Sequence, residues 1–471
     1  MSLHDPDTKR WKALALLCAA QFIVILDTSI IGVALPAIQA DLGFTDDGLS
    51  WIFNAYVIAF GGLLLLGGKL ADVFGARRIF LTGFGILAAA SLVAGLADSQ
   101  AVLLAGRALQ GVGAALIAPA ALSILMRLFG ANPAELGRAF GFWGAAAAAG
   151  GTAGVFLGGV ITEWLSWSWT FLVNVPLGLA VLAIGPAVLR PHPCIHGKVG
   201  IIDSALVTGA IVAAVYAIVT AEQVGWQSMQ TLGLLSGALV LLAVFLAMQA
   251  SSRTSLLPLR LFRAPGLAIG NLVMSLLGAA WIPLWFFLNL YLQSVLQLSA
   301  FGSGLALLPM TLVIMVFMVR FTGPLIGRYG VKRVMVTGLL ALSAALGLLA
   351  SIPADGTYLA SVLPASLLAA LGMSLAYIPI TMTGMAGAAP EDTGLASGLI
   401  NTTYQVGSAL GLAIMVSVAA AQVTATSPET VATLLGYQAA FLGAALVGVL
   451  ASLLALMFVR SGGTATEVAI G

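Results

Sequence analysis

GKLADVFGARRI, residues 68–79, has a counterpart in GPLIGRYGVKRV, residues 323–334, an offset of 255 residues. In each, a Gly precedes a second Gly by seven residues, and two basic residues and a β-branched one follow. Each copy follows a long apolar run, so the duplication extends to whatever surrounds the loop. What surrounds it is apolar. Of 471 residues, 61% are hydrophobic and 8% charged, too little polar material to coat soluble domains. The apolar runs are about 20 residues long, the length of a membrane helix, and lack the alternation of a barrel strand. The 55 glycines suit helices that approach closely in lipid.

Apolar stretches bounded by charged or turn residues predict fourteen spans, at 13–38, 49–68, 79–97, 101–125, 138–162, 168–189, 201–221, 231–250, 266–292, 302–322, 334–352, 357–380, 394–421 and 436–459. Lys9, Arg10, Lys12, Lys69, Arg77, Arg78, Arg127, Arg138, Arg190, Lys198, Arg253, Arg260, Arg263, Arg328, Lys332, Arg333 and Arg460 all fall on one side. The opposite loops carry Asp41, Asp46, Asp47, Asp98, Glu163, Glu222, Asp355 and Glu429 and no Lys or Arg. Positive charge marks the cytoplasmic side, so both termini are expected there. The repeat offset carries the fourth span onto the twelfth. The fold class is therefore an all-α polytopic membrane protein with two six-helix bundles, at 1–189 and 263–471, and a linker at 190–262 holding two further helices. Paired repeats around a central site are how secondary transporters alternate access. The first span is read as a retained helix rather than a signal peptide. Cys18 and Cys194 are far apart, and no nucleic-acid or metal motif is present.

Asp27, in VILDTSIIGVALP at 24–36, is the one acid in the middle of a span; Asp203 and Glu222 sit at the ends of the seventh. A charge at that depth is rare and faces a cavity or a partner, which makes Asp27 a candidate to take up and release a proton. The alternative is a structural carboxylate bonded to neighbouring hydroxyl or backbone groups. Arg107, inside span four, is the matching cation, with Asp27, Gln110 at i+3 or backbone carbonyls as candidate acceptors, or a snorkelling path to the interface. Gly150, Gly154 and Gly158 share one face of span five, with Gly159 beside them, and permit a tight helix crossing. In the 68–78 loop, Asp72 is placed to cap the start of the third span, while Arg77 and Arg78 read as membrane anchors.

The stretches LDTSIIGVALPAI, GKLADVFGARR, RALQGVGAA at 107–115, the span-five glycines and WSWTFLVNVPLG at 167–178 together resemble the major facilitator superfamily, in its fourteen-span drug:proton antiporter branch, over nearly the whole chain. The resemblance implies that Arg107 modulates protonation of an acid. It also implies that Gly68, Asp72, Gly75, Arg77 and Arg78 form an interdomain latch and that the span-five glycines mark an exporter. The sequence departs from the family pattern at Val73, Val155, Ser168 and Gly32, where the family has a basic residue, Pro, Arg and Asn, and Gly327 is the counterpart of Asp72.

Candidates for substrate contact are Asn54, Tyr56, Gln110, Trp281, Trp285, Phe286, Asn289, Asn401, Tyr404 and Gln405. Aromatic faces with a few amides suit flat lipophilic molecules. An interfacial belt is the competing reading for Trp285 and Tyr291, and interhelical hydrogen bonding for Asn401 and Gln405. The expected function is proton-coupled export of hydrophobic or amphipathic drugs or metabolites by a monomer in a bacterial inner membrane, with the proton as coupling ion and no cofactor or metal. Nutrient symport, a channel, and a lipid-handling or scaffold role are the alternatives. Enzymatic chemistry is not expected, because His4, His192 and His196 all lie in cytoplasmic segments and no nucleotide-binding loop occurs.

Overall fold

The computed structural model describes residues 6–190, 201–251, 266–353, 356–386, 388–389, 392–422 and 429–459. Lys198, Arg253, Arg260, Arg263, Arg460, Asp355, Cys194 and the three histidines lie outside them, as do the side chains of Asp46, Asp47, Glu222 and Glu429. The described residues contain helices and no strand. In chain order the helices are α1 (Pro6–Ser29), α2 (Ile31–Leu42), α3 (Asp46–Phe74), α4 (Ala76–Gly95), α5 (Gln100–Phe129), α6 (Pro133–Trp164), α7 (Ser168–Leu172), α8 (Asn174–Val188) and α9 (Ile201–Val224). They continue as α10 (Met229–Ser251), α11 (Leu267–Leu290), α12 (Ala300–Val316), α13 (Gly323–Tyr329), α14 (Val331–Leu349), α15 (Leu363–Met385), α16 (Thr393–Ala420) and α17 (Glu429–Phe458). Thirteen stretches among the described residues are long and apolar enough to cross a membrane, and the remaining expected span is α9, with its shorter apolar stretch Ile202–Ile218.

Contacts divide the chain into two compact units. The first comprises Met1–Ala131, Ala149–Leu261 and Ala388–Thr402; the second comprises Asn132–Ala148, Phe262–Gly387 and Thr403–Gly471. In the first unit α5 packs against α3 and α4, α8 packs on α4, and the additional helices attach in series, α9 on α3 and α10 on α9. In the second, α14 packs against α15 and α17, and α11 against the same two helices. The repeat is visible in the backbone. Gly75, between α3 and α4, has φ +92°, and its repeat mate Gly330, between α13 and α14, has φ +82°. Both turns use a conformation that disfavours any residue with a Cβ.

Several expected spans are interrupted, and for three of them the cause is local. The first breaks at Ile30, where the Thr28 and Ser29 hydroxyls both donate to the Ile25 carbonyl at 2.7 and 2.9 Å, competing with the helix ladder. The sixth breaks at Val173, three residues before Pro176, which has no N–H to return to Leu172, so α7 ends and Asn174 opens α8. A π-helical turn, Phe317–Thr322, separates α12 from α13, and there the Thr322 hydroxyl donates to the Phe317 carbonyl at 3.0 Å. Further π-helical turns follow α11 at Tyr291–Val295 and precede α15 at Tyr358–Val362.

The glycine face of α6 packs on α1. A Cβ on Gly150 would meet the Phe22 carbonyl at 2.6 Å, one on Gly154 the Ser29 Cβ at 2.7 Å, and one on Gly158 the Ile30 carbonyl at 2.5 Å. These three positions thus run alongside the segment that carries Asp27 and its break. Gly159, off that face, is half-buried.

Candidate functional site

Five helices of the first unit converge on one fully buried polar cluster. Asp27 from α1, Ser91 from α4, Arg107 and Gln110 from α5 and Asn174 from α8 are each 0% exposed, and Tyr56 from α3 is 1% exposed. Arg107 Nη1 meets Asp27 Oδ2 at 3.1 Å and donates to Gln110 Oε1 at 2.8 Å, while Arg107 Nε donates to the Ile52 carbonyl at 2.9 Å. Each kind of acceptor foreseen for Arg107 is therefore present, and the guanidinium does not reach an interface. Gln110 Nε2 donates to Asp27 Oδ1 and to Ser91 Oγ, both at 2.8 Å. Asn174 Nδ2 donates to the same Asp27 oxygen. The guanidinium carbon lies 4.5 Å from the centre of the Tyr56 ring and 6.0 Å from that of Phe171.

The arrangement holds a carboxylate with three donors and a guanidinium with two neutral acceptors besides that carboxylate. Removing one member of such a buried pair strands the other, so the two charges depend on each other. Three buried atoms, Tyr56 Oη, Arg107 Nη2 and Asn174 Oδ1, have no partner among the described residues. Toward the acidic-loop ends of these helices the cluster is covered by Ile30, Ile31, Ile38, Phe44, Ile52, Leu103, Trp167 and Phe171. That cover is fastened by the Trp167 indole donating to Asp41 at 2.8 Å and by Gln100 donating to the Leu42 and Gly43 carbonyls at 3.1 and 2.9 Å.

A second constellation of the same unit surrounds Asp72. Its two carboxylate oxygens accept the Gly394 and Leu395 backbone N–H groups, each at 2.8 Å, at the positive end of the 28-residue α16. Arg127 Nη2 lies 3.5 Å from Asp72, and Arg127 Nε donates to the Thr393 hydroxyl at 3.2 Å, which is also 3.0 Å from the Ser123 hydroxyl. Arg77 instead donates to the Pro186 carbonyl at 2.9 Å, tying α4 to α8. Gly68 packs on α16: a Cβ there would meet the Gly394 carbonyl carbon at 2.9 Å. Arg127, Ser123 and Thr393 were not foreseen; a basic residue at the cytoplasmic end of a span reads as an anchor. Replacing Asp72 by Asn removes one of two hydrogen bonds to a charge and is expected to lose about 1.5–3 kcal/mol. Arg127→Met removes a part-exposed ion pair, worth about 1 kcal/mol or less, and the hydrogen bond to the Thr393 hydroxyl, but it keeps both backbone bonds to Asp72 and is expected to lose less than Asp72→Asn, and Arg77→Met leaves the α16 contact intact. Thermal unfolding of the three variants in detergent checks that order.

The substrate candidates are dispersed. Tyr56 and Gln110 belong to the Asp27 cluster. Asn54 is half-buried on α3. On α11, Trp281 and Trp285 stand edge to face with centroids 6.2 Å apart, Phe286 is exposed and stacks edge-on with Phe287, and Asn289 accepts from Gln293 at 3.1 Å. On α16, Asn401 donates to the Ser397 carbonyl at 2.8 Å, Gln405 is half-buried, and Tyr404 meets Tyr377 of α15 edge-on at 6.4 Å. Tyr377 and Asn271, which binds the Gly384 carbonyl at 3.1 Å and accepts from Thr403 at 3.1 Å, are polar groups of this unit that the sequence did not single out.

Comparison with known proteins identifies the family and the fold. The profile described as Major Facilitator Superfamily matches residues 17–412. The cephamycin export protein CmcT of Amycolatopsis lactamdurans is 40% identical over 442 residues, covering 92% of this chain and 89% of that protein. The puromycin resistance protein pur8 of Streptomyces alboniger is 37% identical over 477 residues, covering 97% and 93%. Among solved structures, the human organic anion transporter MFSD10 (TETRAN) matches with a TM-score of 0.70 at 15% identity over 96% of this chain and 100% of its own, a likeness of fold alone. A family match over most of the length, on a helical fold shared with a transporter, shows that the chain belongs to the major facilitator superfamily.

Proposed function

We propose that the protein is a proton-coupled antiporter that exports hydrophobic or amphipathic small molecules from the cytoplasm by alternating access, with both termini cytoplasmic. The observation that carries this reading is the Asp27–Arg107 pair, a carboxylate and a guanidinium each 0% exposed and joined at 3.1 Å inside a helical bundle. Such a pair is expensive to bury, and paired ionisable residues at membrane depth mark proton relays and substrate pathways. Export is favoured because one relative is named a cephamycin export protein, and the resistance named for another, a puromycin resistance protein, is what export of a toxic compound would confer. Both named compounds are small antibiotics, and the paired aromatics Trp281–Trp285 and Tyr377–Tyr404 offer flat faces to molecules of that class. A proton crossing the membrane supplies about 2.3 kcal/mol per 100 mV, enough for a concentration ratio of roughly fifty for a neutral substrate exchanged one for one.

Inside-out vesicles test both direction and coupling. With a panel of amphipathic antibiotics, imposed acid-inside gradients are expected to drive accumulation that an uncoupler abolishes. Accumulation in right-side-out vesicles instead identifies an uptake symporter, and flux that neither saturates nor responds to the uncoupler identifies a channel.

A further inference from the structure

Asn174 differs from every other partner of Asp27. It is 0% exposed, its Nδ2 donates to Asp27 Oδ1, and its own Oδ1 is buried with no partner among the described residues. Gln110 donates to the same Asp27 oxygen, yet its amide is fixed by both ends: Oε1 accepts from Arg107 at 2.8 Å and Nε2 is shared with Ser91 at 2.8 Å. A half-turn of the Gln110 amide sets its NH2 group against the guanidinium. The same half-turn of Asn174 loses no acceptor-side bond, and the terminal amide torsion is broad and roughly twofold. Only Asn174 is free to present either a donor or an acceptor to the carboxyl.

We propose that Asn174 is a positioning residue for the transported proton, donating its N–H to Asp27 Oδ1 when the carboxylate is ionised and turning its carbonyl oxygen to accept the O–H when that oxygen is protonated. This rests on the reading of Asp27 as the proton acceptor and specifies which of its oxygens takes the proton. The proton arrives from water and adds to a lone pair of Oδ1, and no covalent bond breaks. Oδ2 stays on Arg107 Nη1, Oδ1 keeps the Gln110 N–H, and the formal charge of the pair passes from zero to +1. Among the described residues, the charged or titratable groups facing Asp27 are Arg107 of α5 and Tyr56 of α3; Ser91 of α4, Gln110 of α5 and Asn174 of α8 are neutral. The new O–H is thus formed beside a cation, among groups already committed as donors, and Asn174 Oδ1 is the carbonyl-type acceptor left to receive it. The break at Val173 makes this geometry available, because it starts α8 at Asn174 and sets that side chain at the level of the carboxyl.

Infrared difference spectroscopy of the reconstituted protein between alkaline and acidic pH tests this. A carboxylic-acid carbonyl band that disappears in Asp27→Asn belongs to Asp27. In Asn174→Leu, nearly isosteric but without an amide, that band is expected at higher frequency, because the O–H has lost its acceptor, and proton-driven accumulation is expected to fall at least about tenfold, the low end of the range for one hydrogen bond to a charged group. Asn174→Gln, which keeps one rotatable amide, is expected to restore both. Should the leucine variant not fold, Asn174→Met gives the same reading with a more adaptable side chain. An Asp27 band at unchanged frequency in the Leu or Met variant overturns the role of Asn174 alone. Absence of any band removed by Asp27→Asn overturns the proton reading itself.

Discussion

Asp27→Asn is expected to abolish uncoupler-sensitive accumulation in inside-out vesicles while the protein remains in the membrane. The substitution preserves shape and removes the carboxyl group to which the proposal assigns proton uptake. It also removes the only carboxylate among the described residues in contact with Arg107, leaving the guanidinium with Gln110 Oε1, the Ile52 carbonyl and the face of Tyr56. Breaking a buried ion pair from one side typically loses about 3–5 kcal/mol, and the neutral acceptors that remain place this case at the lower end. A second effect is geometric. The asparagine must turn its oxygen toward Arg107, which aims its NH2 at the donating Nε2 of Gln110, an amide held in place by Arg107 and Ser91, whereas Asn174 can turn its Oδ1 to accept. The folded protein is therefore expected to unfold at a lower temperature in detergent, and downhill substrate exchange, which needs no net proton movement, is expected to survive. Accumulation by Asp27→Asn within twofold of wild type, at equal protein level, removes Asp27 from the coupling mechanism.

The features that were legible in the sequence are those with a large penalty for being out of place. A carboxylate and a guanidinium at membrane depth stand out against apolar spans, so Asp27 and Arg107 were marked, and Gln110 at i+3 followed from helix geometry. Asn174 and Ser91 were not marked. Amides and hydroxyls occur in many spans at small cost because they bond across helices or back to their own backbone, and nothing local separates a site residue from a packing one. Ser366, for example, donates to the Val362 carbonyl four residues earlier and has the same sequence appearance as Ser91. The partner of Asp72 was hidden for a different reason. Arg77 and Arg78 are its chain neighbours, whereas Arg127 and the start of α16 reach it only through the tertiary fold, across 55 and more than 300 residues. The span count and the repeat needed no such information, since both rest on length, hydropathy and turn chemistry.

Gly68→Ala is expected to impair transport more than tenfold, whereas Gly323→Ala, the same change at the repeat-related position, is expected to leave it near wild type. The two glycines begin the two copies of the motif that defines the fold, yet their surroundings differ. A Cβ at Gly68 would meet the Gly394 carbonyl, with the Gly394 carbonyl carbon at 2.9 Å and Gly398 Cα at 3.2 Å, all of it backbone that no rotamer change can move aside. At Gly323 the nearest atom is the Gly137 carbonyl carbon at 3.4 Å, an ordinary contact. The alanine at 68 must push α16 away from α3. Overpacking of this kind loses about 1–3 kcal/mol, and the displacement also draws the Gly394 and Leu395 N–H groups off Asp72, each such bond to a charge being worth about 1.5–3 kcal/mol. A transporter whose states differ by a few kcal/mol is shifted from one state to another by about 5.5 kcal/mol, so if the Asp72 contact latches one transport state, a loss of this size removes that state from the cycle. Gly68→Ala should also lower the unfolding temperature in detergent by more than Gly323→Ala does. If the two alanines behave alike in both measurements, the close approach at Gly68 is not what holds that state.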